Sequence, residues 1–249
     1  MTNEMKYMTW KEYAAREDDI ICLCVGSVEQ HGPHLPMMTD AAIAYEFGLR
    51  LAEHLDMIVA PELFFGYRSL PASGGGESFP GTTSLSGKTL MDQTLDILED
   101  FYRQGRKKFV ICDGHIENQS FLGEAAYLLT HRHDDAKVVF FDWWLFVSDE
   151  TLDELFEHEF PGWDCEHASV TETSLMMYLR PDLVHEDRIP DQQGVKPKGL
   201  PQVFPEPKGA VPESGILYTA LGASKEMGEA LVKEVISKAV PFIKENFPE

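Results

Sequence analysis

Ile20-Ile21-Cys22-Leu23-Cys24-Val25, followed by the polar stretch from Gly26 to Thr39, is the passage on which the fold turns. Six apolar residues in a row leave no polar side chain for a wet face. The run therefore reads as a strand buried on both sides, as in parallel sheets covered by helices. Cys22 and Cys24 lie two apart and point to the same face of that strand.

Working outward, the pattern after Asp40 turns helical, with Ile43, Phe47, Leu51 and Leu55 recurring every four residues. Met57 to Ala60 is a short strand stopped by Pro61. Residues 66–87 form a long connection rich in Gly, Ser and Pro, of the kind that is usually functional inside a compact domain. Leu90, Leu95, Leu98 and Phe101 mark a second helix ending near Gly105. Lys108 to Cys112 and Lys137 to Phe141 read as further strands, with a helix from about Glu117 to Leu129 between them. Helical segments follow near Asp149 to His158 and His167 to Tyr178, and residues 181–222 read as irregular. Ser224 is a candidate N-cap for a last helix to Asn246, with a break expected near Pro241. Alternation of strand and helix predicts an α/β fold, a mainly parallel sheet sandwiched by helices in three α/β/α layers. The whole of 1–249 is expected to form one domain.

Composition narrows the function. The 249 residues are 43% hydrophobic and 25% charged, ordinary for a soluble globular protein, and contain no apolar stretch long enough to span a membrane. The start of the chain lacks the basic-then-apolar pattern of a signal peptide, so a cytoplasmic location is expected. A formal charge of −21 disfavours nucleic acid and anionic lipid as partners. Four cysteines without a Cys-x-x-Cys pair point to neither a disulfide framework nor a structural zinc knot.

Ligands in parallel sheets gather beyond the carboxyl ends of strands. Two segments sit there. Glu29-Gln30-His31 and then Asp40 follow the first strand, and His115-Ile116-Glu117 follows the Lys108 strand. Glu-x-His and His-x-Glu aim both side chains the same way in extended chain. Two imidazoles and three carboxylates without a thiolate suit zinc, manganese or similar divalent ions. Five ligands exceed what one hydrolytic site needs and fit two ions if a carboxylate bridges them, a role open to Asp40. Such a pair would acidify a shared water and polarise an amide carbonyl. Asp40 equally suits a helix N-cap and Glu117 a first-turn anion, and spacing alone leaves these readings open.

The motifs carry a resemblance. Gly26-Ser-Val-Glu-Gln-His-Gly-Pro-His-Leu-Pro36 with Asp40 is similar to the signature of the creatininase (creatinine amidohydrolase) family. Gly114-His-Ile-Glu-Asn118 resembles its second metal motif, Phe79-Pro-Gly-Thr-Thr-Ser-Leu85 its loop, and Glu172-Thr-Ser-Leu175 its later helix. The resemblance implies one ion on Glu29, Asp40 and His115, and a second on His31, Asp40 and Glu117. It also implies zinc or manganese as the ions and a homohexamer. Tyr67-Arg-Ser-Leu-Pro-Ala-Ser73, Trp144 with Phe146-Val147, and Gly162-Trp-Asp-Cys-Glu-His167 resemble creatininases proper. That likeness implies ring opening of creatinine to creatine, with Trp144 and Trp163 against the ring, His167 as proton shuttle and Ser73 and Asp164 as polar contacts. Glu117 is expected to take part in catalysis as well as in metal binding, and Glu172 to support the site. Ile116 stands where creatininases commonly carry tyrosine, which leaves a formamide deformylase or other amidohydrolase of the family as the alternative. A non-catalytic metal-binding oligomer is a more remote one.

Overall fold

The computed structural model describes residues 2–156, 160–191 and 203–248. Its sheet has four parallel strands. They are β1 (Ile20–Val25), β2 (Met57–Val59), β3 (Lys108–Asp113) and β4 (Lys137–Asp142), in the spatial order β2-β1-β3-β4. Helices α1 (Trp10–Ala14), α2 (Thr39–Leu51), α3 (Gly87–Arg103), α4 (Gln119–Arg132), α5 (Asp149–Leu155), α6 (Val170–Leu179) and α7 (Lys225–Asn246) complete the described elements used below.

Strand parity decides what each sheet face touches. Cys22, Cys24, Val59, Val110, Cys112, Val139 and Phe141 face one core, shared with Phe47 and Leu51 of α2, Leu175 and Met176 of α6 and Leu231 and Val235 of α7. Ile21, Leu23, Val25, Ile58, Phe109 and Ile111 face the other, shared with Leu90 and Leu98 of α3 and Leu122 and Leu129 of α4. The expected helix-sheet-helix layering is therefore what forms. All six residues of β1 are buried, as its continuous apolar run requires.

The strand order also locates the site. After β1 the chain moves to β2 on one side, then crosses back to β3 on the other. Chain paths diverge between β1 and β3, which opens a crevice at their carboxyl ends. Val25 pairs with Asp113 in register, so both ends lie level. The two His-carboxylate motifs leave the sheet side by side at that point.

Boundaries depart from expectation in instructive ways. The 3-10 turn Ile116–Asn118 precedes α4, which starts only at Gln119. Helix α6 starts at Val170, so His167 lies in the turn before it. Helix α5 ends at Leu155, and the expected end at His158 falls outside the described residues, as does 192–202 of the irregular segment. Helix α7 is not broken at Pro241. It runs through that residue, whose ring lies on the exposed side. Ser224 does cap it, accepting from the Met227 N–H.

Candidate metal centre

Two glycines set the position of Asp40. A Cβ on Gly26 would stand 2.2 Å from the Ala41 nitrogen, and one on Gly114 would stand 2.4 Å from the Asp40 carbonyl oxygen. Only residues without a side chain let the first turn of α2 settle between the two strand ends. Asp40 is the second residue of α2, Met38 occupies the N-cap position, and no side-chain cap bond forms there. The capping reading of Asp40 thus gives way: its carboxylate turns into the crevice. Oδ1 lies 2.8 Å from His31 Nε2 and Oδ2 lies 3.1 Å from His115 Nδ1. One oxygen faces each motif.

Each imidazole is oriented by a backbone carbonyl behind it. His31 Nδ1 donates to Glu29 O at 3.1 Å, and His115 Nε2 donates to Tyr67 O at 3.1 Å. These bonds assign the tautomers and leave His31 Nε2 and His115 Nδ1 as lone pairs toward the crevice. Glu29 divides its oxygens in the same manner. Oε1 accepts from Ser69 Oγ and the Gly75 N–H, while Oε2 faces His115 Nδ1 at 3.1 Å.

Among the described residues, three sets of ligand atoms lie within 4.8 Å of one another: Glu29, Asp40 and His115; His31, Asp40 and Glu172; and Glu29, His31 and His167. The first is the set expected for one ion. In the second, Glu172 stands where Glu117 was expected beside His31 and Asp40. Glu117 lies past His115, with Oε2 3.3 Å from His115 Nε2 and Oε1 accepting from Leu70 N and Ser73 Oγ.

The electrostatics call for cations. Burial would lower the His31 and His115 pKa values, but Asp40 and Glu172 around the first, and Glu117 and Glu29 around the second, raise both well above the ordinary value. Burial would raise Glu29 and Asp40, yet the facing imidazoles hold both carboxyls below their usual range. Glu117 is pushed up to about 7, chiefly by burial. Glu29 Oε2, His31 Nε2, Asp40 Oδ2 and Glu117 Oε2 are buried without a hydrogen-bond partner. Each such atom costs about 1–3 kcal/mol when left unpaired. Three of them, on Glu29, His31 and Asp40, belong to residues whose ligand atoms lie within 4.8 Å of one another in pairs, and oxygen with imidazole nitrogen fits divalent ions.

His167 is buried beside this cluster. Its Nε2 donates to Gln30 O at 2.8 Å, and Nδ1 is 3.4 Å from Glu29 Oε1. Burial lowers its pKa, so it is neutral near pH 7 with Nδ1 free to accept a proton. The next residue, Ala168, has φ of 53°, a left-handed conformation that is costly for a residue with a Cβ and common at functional sites. That turn aims His167 inward and lets the Ala168 N–H donate to Glu172 at 2.6 Å.

A cavity of about 370 Å³, open solvent at its mouth included, joins the cluster to an aromatic slot. Trp144 and Trp163 face each other at 6.3 Å with 30° between planes. Trp143 stands nearly perpendicular to both, with centroids 5.4 Å away, and closes the floor. A flat ring between two indoles needs about 7–8 Å, twice a carbon-carbon contact distance, so the slot must widen by about 1 Å to admit one. Ser73, Ile116, Glu117 and His167 also line the cavity, whereas Asp164 is exposed and is not part of the wall.

Several contributors escape a reading of the sequence. Ser69 and Leu70 lie inside the Tyr67 to Ser73 motif but take no role from it, and no motif assigns one to the Gly75 N–H or to Trp143. Asn118 binds the Tyr67 N–H, Gly26 O and Asp113 and so ties both strand ends to the 66–87 loop. Its place directly after His-x-Glu was the available signal.

Comparison with known proteins gives the family and the fold. The family model described as creatininase, creatinine amidohydrolase, matches residues 6–243. Creatinine amidohydrolase of Pseudomonas putida is 40% identical over 252 residues, covering 97% of this chain and 96% of that protein. A mutant creatininase complexed with creatine superposes with a TM-score of 0.95 at 38% identity, with 100% of both chains covered. Manganese and zinc-zinc forms of creatininase match with the same score, at 38% and 37% identity and with the same full coverage.

Proposed function

The chain belongs to the creatininase family, and from that premise we propose that it is a metal-dependent creatinine amidohydrolase, opening the cyclic amide of creatinine reversibly to creatine. The observation that carries the proposal is the meeting, in one cavity, of a split carboxylate between two imidazoles and a facing pair of indoles.

Glu29, Asp40 and His115 would hold one ion. His31 and Asp40 would hold the other, with Glu172 already beside them and Glu117 the further candidate. Zinc or manganese bound there supplies an activated water and a polarised amide carbonyl. The rest falls to the chain's own side chains. Trp144 and Trp163 clasp the flat ring and present one edge to the carboxylate cluster. Ser73 and Leu70 N hold Glu117 Oε1, so its free Oε2 can take up a proton at a pKa near neutrality. Neutral His167 offers Nδ1 to collect a proton and pass it to the departing ring nitrogen. Reversal of the same transfers closes creatine again.

Ile116 favours a second reading. It puts an apolar side chain in the cavity wall, which suits another amide of similar size, such as a formamide. We further propose that the 249 residues act as one unit, assembled as a homohexamer in the cytoplasm. Exposed Trp10, Leu145 and Phe204 provide apolar surface for assembly. Among the described residues, no helix is long and apolar enough to cross a membrane. The test is direct: protein loaded with zinc or manganese is incubated with creatinine and creatine is followed. Steady creatine release is expected. No turnover of creatinine by metal-replete protein, with release of formate from a formamide panel, transfers the assignment to the alternative.

A further inference from the structure

Glu166 is a buried carboxyl that the mechanism above does not use. It is 4% exposed and lines the cavity together with Trp144, Trp163 and His167. Its two oxygens are in different situations. Oε2 accepts from the Thr171 N–H at 2.8 Å and from the Thr171 hydroxyl, and so satisfies a free donor in the first turn of α6, where Ser169 supplies no side-chain cap. Oε1 is buried and has no hydrogen-bond partner. A carboxylate recruited only to cap a helix has no need of a wall position, and a serine or aspartate at the cap would serve at lower cost.

We propose that Glu166 Oε1 is the acceptor for the amino-imine edge of the substrate, and so a specificity-determining residue for amides that carry an amidine or guanidine group. The inference deepens the amidohydrolase reading and rests on it. Creatinine is asymmetric in the way the cavity is. Its carbonyl is the edge for the carboxylate-imidazole cluster, and its exocyclic nitrogen carries N–H in either tautomer and so needs an acceptor elsewhere. When the ring opens, that donor becomes part of a guanidinium cation. The bond to Glu166 then becomes charge-assisted and stronger, so the same residue holds the product when the reaction runs toward ring closure. An analogue with oxygen in place of that nitrogen would set two acceptors against each other. Sites built around a buried hydrogen bond discriminate strongly against such mismatches.

Glu166→Gln separates recognition from capping. The glutamine carbonyl can keep the Thr171 bonds, while its amide turns the unpaired atom from acceptor to donor. Creatinine and 1-methylhydantoin, which differ at the single exocyclic position, are compared in metal-loaded protein. Binding is read by quenching of indole fluorescence and turnover is read in parallel. Wild type should favour creatinine. Glu166→Gln should shift the creatinine-to-hydantoin binding ratio by about 10- to 100-fold toward the hydantoin, the range of one hydrogen bond to a charged group. Thr171→Val weakens the capping contact alone and should leave the ratio where it was. An unchanged ratio in Glu166→Gln, equal loss for both ligands, or the same shift in Thr171→Val overturns the proposal. Should wild type bind both rings and turn over neither, the creatinine reading falls, while the binding ratio still decides the role of Glu166.

Discussion

The cavity has two halves built on different terms. Its ionic half stands on strand ends, with Asp40 wedged by Gly26 and Gly114, and His31 and His115 each held from behind by a backbone carbonyl. Its aromatic half stands on two 3-10 turns, Trp143–Phe146 and Trp163–Cys165, and its rings pack against one another and, through Trp143, against Phe47 of α2. Half-buried Trp163 packs edge-on against Phe160 as well as Trp143. The difference teaches which part can vary. Chemistry that needs fixed ligand geometry is placed where sheet pairing over-determines the backbone. Ring recognition is placed where a shift of about 1 Å is affordable in packing energy.

That contrast can be broken most severely in the ionic half. Asp40→Ala removes both facing oxygens, so turnover should fall at least about 10⁴-fold and metal content should drop from two ions per chain to one or none. Retention of two ions by elemental analysis would show that Asp40 does not bridge. His167→Ala should reduce turnover by roughly 10²–10⁴-fold with metal content intact, since its Nδ1 handles protons beside the cluster. A parallel loss of metal would make it a ligand in the set with Glu29 and His31 instead. In the aromatic half, Trp163→Ala should raise KM for creatinine about 10-fold and change kcat less, with no change in metal content. A loss confined to kcat would contradict a stacking role. The mildest change sharpens the boundary between the halves. Ile116→Tyr returns a hydroxyl to the wall and should improve kcat/KM for creatinine by about 2- to 10-fold. A fall for creatinine with a gain for formamides would favour the alternative substrate.

How much was legible beforehand follows the same division. The apolar runs of β1 and β3 and the His-carboxylate pairs after them are local signals, and they located the sheet, its layering and the crevice. Asp40 is legible as a candidate bridge but also as a cap, because both uses place an acid at a helix start. The structure separates them through a contact 14 residues away, between Asp40 and Gly26. Glu172 reads as a supporting residue on a helix, and its approach to His31 depends on the left-handed turn at Ala168, which alanine does not announce. The 66–87 loop contributes the Leu70 and Gly75 N–H groups, which any residue but proline could supply, beside the hydroxyls of Ser69 and Ser73. Asp164 and Glu166 sit two residues apart in one motif. The 3-10 turn exposes the first and buries the second, a distinction that depends on local winding and not on residue type.

The central claim is that one carboxylate joins two cations held by side chains from two neighbouring strand ends. Anomalous diffraction from crystals grown with manganese or zinc tests it most directly. Two peaks are predicted, one against His31 Nε2 and one against His115 Nδ1, with one oxygen of Asp40 on each. A single peak, or two peaks with Asp40 touching neither, would contradict the account.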